Sequence, residues 1–155
     1  MKSQISTSLI GEMDQQELQH LITVSTGFID AYIIECDQQV PMLLPQNIVL
    51  SAMDVKNGIK HIEWHDVKLP VYSLHNEVDS RAVALVIESE DISQRFALIC
   101  KSMPASVRLR ISEVVDENDD IQDTLQNPSV FKYVRMENQR YHVPNLQYIQ
   151  NSLHL

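Results

Sequence analysis

The chain of 155 residues suits a single domain with a substantial core, and 44% hydrophobic with 21% charged residues is the composition of an ordinary folded protein. Its net charge of −9 repels phosphate backbones and anionic lipid, which argues against nucleic acid and membrane surfaces as partners. No apolar run approaches the roughly 20 residues that span a bilayer, and Gly11, Gly27 and Gly58 are too few to build a P-loop, a dinucleotide fingerprint or a nucleophile elbow.

Residues 1–26 read as a polar segment carrying one short helix. Asp14 caps it, Glu17 completes a capping box, Met13 staples onto Leu18, and Leu18, Leu21 and Ile22 form its apolar stripe. The opening "MKSQISTSLIGEMDQQELQHL" has no continuous apolar segment of the kind a secretory signal needs, so a cytoplasmic protein is expected. From Phe28 the period shortens. "FIDAYIIEC" is a strand rich in β-branched and aromatic residues, "DQQ" a turn and "VPMLL" a second strand.

"KHIEWHDVKLPVYSL" (60–74) follows, read as an extended run. Alternation along a strand places His61, Glu63 and His65 on one face and Ile62 and Trp64 on the other, with Leu69, Val71 and Leu74 adding to the dry side. "RAVALVIES" and "RFALICKSM" then pair around "EDISQ", and "VFKYVRM" pairs with "RYHV" across "ENQ". "PNLQYIQNSL" closes the chain as a short helix with a Leu146, Ile149, Leu153 stripe and Pro144 in its first turn. Between these pairs, "VRLR" (107–110) is a loose basic cluster. "EVVDENDDIQD" (113–123) is a solvated acidic loop without calcium-loop spacing.

Strand, short polar turn, strand, then proline is a layout repeated three times. It predicts consecutive antiparallel hairpins, since the long helices that parallel crossovers need are missing. Closure into a barrel is the economical way to remove so many edges. The fold class expected is therefore mostly β, built of small barrels with short peripheral helices.

Chemistry is scarce along the chain. His61, Glu63 and His65 offer the atom types of a catalytic zinc site, which would make a metal-dependent hydrolase, but no second histidine-rich segment accompanies them. The preferred reading is a solvated strand face. Cys36 and Cys100 sit inside apolar strands, where desolvation dulls a thiol, and they read as small core residues, not as a disulfide framework. The pairs Glu35/Asp37 and Glu88/Glu90 fall beside turns as surface carboxylates. Trp64, the lone tryptophan, reads as core filler or as an interface anchor.

Taken in order, these strands resemble the CheW-like domain, the adaptor module of bacterial chemosensory arrays, over residues 27 to 150. "AYIIECDQQVPMLLPQNIVLSAM" is similar to the family's opening hairpin with its apolar-proline signal. "WHDVKLPVYSL" is the counterpart of the segment in which an Arg-Gly pair is followed by Pro-Val and Asp-Leu. Pro70, Val71 and Leu74 match; His65 stands for the arginine, Asp66 for the glycine and Ser73 for the aspartate. "RFALICKSM" parallels a Gly-x-x-Val-Asp-x-Val strand, with Ala97, Cys100 and Lys101 in place of glycine, valine and aspartate and Met103 at the last apolar position. "VFKYVRMENQRYHVPNLQYI" fits the last hairpin and terminal helix.

Apolar positions that define the fold persist while the polar signature has changed. The "HIEWHD…LPVYSL" variant looks closest to the ChpC branch, which serves chemosensory systems governing type IV pili and twitching motility. The resemblance implies a CheW-like domain over 27–155 of two small β-barrels packed side by side around a shared core, with no catalysis and no cofactor. It implies as partners a CheA-type histidine kinase and a methyl-accepting chemoreceptor, bridged by two separate surfaces. Candidate partner contacts are His65, Asp66 and Lys68, where the Arg-Gly turn sits in the family, with Val49 and Leu50 after the first hairpin. A diverged module binding some other protein remains the neighbouring alternative.

Overall fold

Period-two alternation carries through most of the chain, and the strands it produces form two curled sheets. The computed structural model describes residues 27–37, 39–76, 81–117 and 127–154. The helix expected near Asp14 to Ile22 and the acidic residues 118–123 lie outside them. The strands are β1 (Phe28–Cys36), β2 (Gln39–Pro45), β3 (Val49–Lys56), β4 (His61–Trp64), β5 (Val67–Ser73), β6 (Arg81–Ile87), β7 (Phe96–Cys100), β8 (Ala105–Arg110), β9 (Val115–Glu117), β10 (Val130–Met136) and β11 (Gln139–Pro144), followed by helix α1 (Leu146–Leu153).

One sheet runs β8-β1-β2-β11-β10-β9 and the other β3-β6-β7-β5-β4. The chain leaves the first sheet after β2, builds the whole second sheet, and returns at β8. Three expected pairs are present: β1 with β2, β6 with β7, and β10 with β11. Two details go beyond that expectation. Neighbours are not all antiparallel, because β2 meets β11 in parallel at Met42 and His142, and β5 meets β7 in parallel over Val71 to Ser73. A parallel pair needs a long crossover but not a helix, and here intervening strands provide it. Closure also stops short: among the described residues no ladder joins β3 to β4 or β8 to β9, so each sheet keeps two edges.

Why the sheets stay together follows from parity. In β6, Val83, Leu85 and Ile87 point into a core between the sheets, while Ala82, Ala84 and Val86 point into the hollow of their own sheet. In β7, Phe96, Leu98 and Cys100 face the shared core and Ala97 and Ile99 the hollow. The first sheet repeats the arrangement, with Ile34, Met42 and Leu44 facing the shared core and Ile29, Ala31 and Leu43 facing inward. Strands wet on neither face read as continuous apolar runs, which explains "AVALVI" and "FALIC". Each fully buried Leu or Ile contributes about 1.5–3 kcal/mol by leaving water.

Helix α1 seals one margin of the shared core with Ile149, supported by Leu146 and Leu153, the stripe expected from sequence. It starts two residues later than expected. Pro144 ends β11, and Asn145 is the cap, its side-chain oxygen accepting the Tyr148 N–H at 3.0 Å. A polar joint also ties the sheets together. Asp37 N–H donates to the Leu74 carbonyl (3.0 Å), Asn76 N–H donates to the Asp37 carboxylate (2.6 Å), and Lys101 stands 3.7 Å from the same carboxylate.

Candidate functional site

The segment 60–74 is not one strand but a hairpin. β4 ends at Trp64, β5 begins at Val67, and His65 and Asp66 form the two-residue turn. Their φ angles of 51° and 65° place both in the left-handed region, the signature of a type I′ turn. Histidine and aspartate are among the few residues that visit this region, which is how the turn forms without the glycine expected at Asp66. A second glycine-free turn of this kind, Glu137–Asn138, joins β10 to β11.

This corrects the placement of His65. His61 and Glu63 are exposed on the outer face of β4, with Ile62 buried behind them, as alternation predicts. His65 has left the strand, and its ring stacks on Trp64 with centroids 4.0 Å apart and planes 16° from parallel. The three therefore do not share a face, and among the described residues no three His, Cys, Asp or Glu side chains converge as metal ligands would. Trp64 is half-buried, packing against the hollow of its sheet, so it is neither a sealed core residue nor a free one.

Strand registers place five strand ends together. Val49 of β3 lies opposite Ile87 of β6, Ile87 opposite Phe96 of β7, and the tip of the β4–β5 hairpin points the same way. Because Val71 pairs with Ala97, Val67 projects three residues past the start of β7, about 10 Å at strand rise. His65, Asp66 and Lys68 thus share one end of the sheet with Val49 and Leu50. They stand on opposite edges, however, with β6, β7 and β5 between β3 and β4.

Residues not foreseen from sequence complete the hairpin side of this end. The Arg95 guanidinium lies over the Trp64 ring at 5.5 Å and pairs with Glu88 at 2.9 Å. That pairing holds the Glu88 carboxyl below the usual carboxylate range. His154, after α1, meets the Arg95 carbonyl at 3.2 Å. Val67 (43% exposed) and Ile92 (62%) leave apolar surface beside the stack, and Leu50 (36%) does so at the β3 edge. Around them Glu63, Asp66, Glu88, Glu90 and Asp91 outnumber the cations Lys68 and Arg95, and Lys68 faces Glu63 across the hairpin. No local sequence signal marks Arg95; only the pairing of distant strands brings it to Trp64.

Elsewhere a cavity of about 120 Å³ opens at the polar joint, lined by residues that include Cys36, Asp37, Tyr72, Ser129, His142 and Ile149. Its thiol is held in the protonated form. Burial pushes the Cys36 thiol up to about 11 and Cys100 to about 12, and both cysteines are free, as small core residues are expected to be. His142 is buried and donates its Nδ1–H to the Val40 carbonyl at 2.9 Å, which fixes the tautomer. Desolvation holds its pKa below the ordinary histidine value against the backbone carbonyls of Val40 and Pro41. No helix among the described residues is long and apolar enough to cross a membrane.

No protein-family model matches the sequence, and no curated protein matches it. Among solved structures the chain is similar to the scaffolding protein TtCheW from Thermoanaerobacter tengcongensis. Identity is 9% and the TM-score 0.55, over 75% of this chain and 88% of that one. At this identity the likeness is one of fold, and the mostly-β arrangement of two curled sheets with a short C-terminal helix is CheW-like.

Proposed function

We propose that the protein is a non-catalytic adaptor that links a CheA-type histidine kinase to methyl-accepting chemoreceptors, through residues 27–155. The observation that carries this reading is the CheW-like pairing of two curled sheets, the fold of a scaffolding protein, in a chain whose two described thiols are desolvated and unactivated. An adaptor needs no reaction chemistry. It needs two separate surfaces and a rigid body between them, so that binding one partner raises the effective concentration of the other. We assign one surface to the end of the second sheet, with His65, Asp66 and Lys68 at the hairpin tip and Val49 and Leu50 at the opposite edge. The "HIEWHD…LPVYSL" variant supports placing the adaptor in a system that governs type IV pili and twitching motility. The acidic composition and the absence of a long apolar segment support a cytoplasmic site of action.

The test is reconstitution. The purified protein is mixed with the regulatory region of the kinase and a receptor cytoplasmic fragment, and complexes are resolved by size at low salt. A ternary species is expected, and Val67→Glu combined with His65→Ala is expected to remove one partner while the other stays bound. Absence of binding to either partner would refute the reading.

A further inference from the structure

We infer that the Asn57–Gly58 turn between β3 and β4 is a site of spontaneous deamidation in the folded protein. Asn57 is the chain's one asparagine followed by glycine. Gly58 adopts φ +91°, a conformation that suits glycine, and it is exposed, so no side chain screens its backbone nitrogen from water or hydroxide. That N–H donates to Asn57 Oδ1 at 2.9 Å, which sets the nitrogen beside the side-chain carbonyl carbon. A separate observation concerns the leaving atom: Asn57 Nδ2 is buried and meets no acceptor, so its departure breaks no hydrogen bond.

The chemistry requires only water. Gly58 N gives its proton to hydroxide and bonds to Asn57 Cγ, closing a five-membered imide. The Cγ–Nδ2 bond breaks, and Nδ2 leaves as ammonia with a proton drawn from water. Water then opens the ring. Attack at Cγ restores the main chain as aspartate; attack at the Asn57 backbone carbonyl carbon yields isoaspartate, with the main chain running through Cβ and Cγ. One water enters and one ammonia leaves. The product carboxylate stands between Lys56 and Lys60 in sequence, and the isoaspartyl form lengthens the link between β3 and β4.

The full chain is incubated near neutral pH, folded and in urea, then digested and mapped by mass, with a protein isoaspartyl methyltransferase as a second readout. In the folded sample the peptide holding Asn57 is expected to shift by the exchange of NH for O and to accept methyl groups. Peptides holding Asn47, Asn138 and Asn145 are expected to keep their mass. Asn57→Asp closes the same imide only by losing water, and is expected to accept methyl groups at this turn more slowly than the parent; Asn57→Ser, which cannot close it, is expected to accept none. The inference is overturned if Asn57 converts in urea while the folded sample keeps its amide, or if Asn138 converts as fast as Asn57.

Discussion

His142 and the two thiols show how burial sets chemistry residue by residue. The folded chain holds His142 neutral, with burial lowering its pKa, whereas the unfolded chain protonates it near the ordinary value of about 6.5. Below that pH the unfolded state binds the extra proton first. Stability conferred by the neutral ring is therefore complete above about pH 6.5 and declines as pH falls through the lower folded value. Urea midpoints measured from pH 7.5 down to 5.5 are expected to fall for the wild type and to fall less for His142→Phe. Cysteine reactivity gives a second check. With Cys36 pushed up to about 11, about one thiol in a thousand is ionised near pH 8, and Cys100, at about 12, is more fully buried. Iodoacetamide is expected to label the native protein slowly and the unfolded protein at once; fast native labelling would contradict the packing. Both cysteines were legible in sequence from the apolar runs around them. His142 was not, because "RYHV" does not reveal that β2 will close over its ring.

The β4–β5 hairpin is the element where sequence and structure part most clearly. "HIEWHDVKLPVYSL" contains no glycine or asparagine at its turn, so its alternation reads straight through as one strand. The missing signal is physical. His65 and Asp66 accept φ of 51° and 65° at a cost, and the hairpin pairs from Trp64–Val67 to His61–Pro70 repay it. A left-handed non-glycine residue costs roughly 1–2 kcal/mol, and glycine returns about 0.5–1 of that as lost chain entropy. Asp66→Gly is thus expected to raise stability by about 0.5–1 kcal/mol in denaturant titrations. If Asp66 also contacts a partner, the same variant is expected to weaken binding while strengthening the fold, a split that a purely structural residue does not produce. Strand β8 is faint in the sequence because its outer face, with Ser106, Arg108 and Arg110, is polar, and β3 because its exposed face mixes Leu50 and Ala52 with Asp54 and Lys56, whereas the apolar β6 and β7 and the stripe of α1 stand out.

Across the whole molecule, stability rests on the core shared by the sheets. Leu85 is fully buried there, and Leu85→Ala is expected to cost about 2–5 kcal/mol, a large part of a typical domain's total. Ile92→Ala, at an exposed site, is expected to stay within about 0.5 kcal/mol. Equilibrium unfolding of the two variants and the parent separates these outcomes. Mostly-β architecture could be read from alternation and turn spacing. The parallel contacts β2–β11 and β5–β7 could not, since they join segments far apart in the chain and leave no local trace. The same holds for the meeting of Arg95 with Trp64. The double duty of β6 and β7 has a mechanical corollary. Each contributes alternate side chains to two interiors, so neither strand can come away without opening both. The amides of β6 and β7 should therefore be the last to trade hydrogen for deuterium.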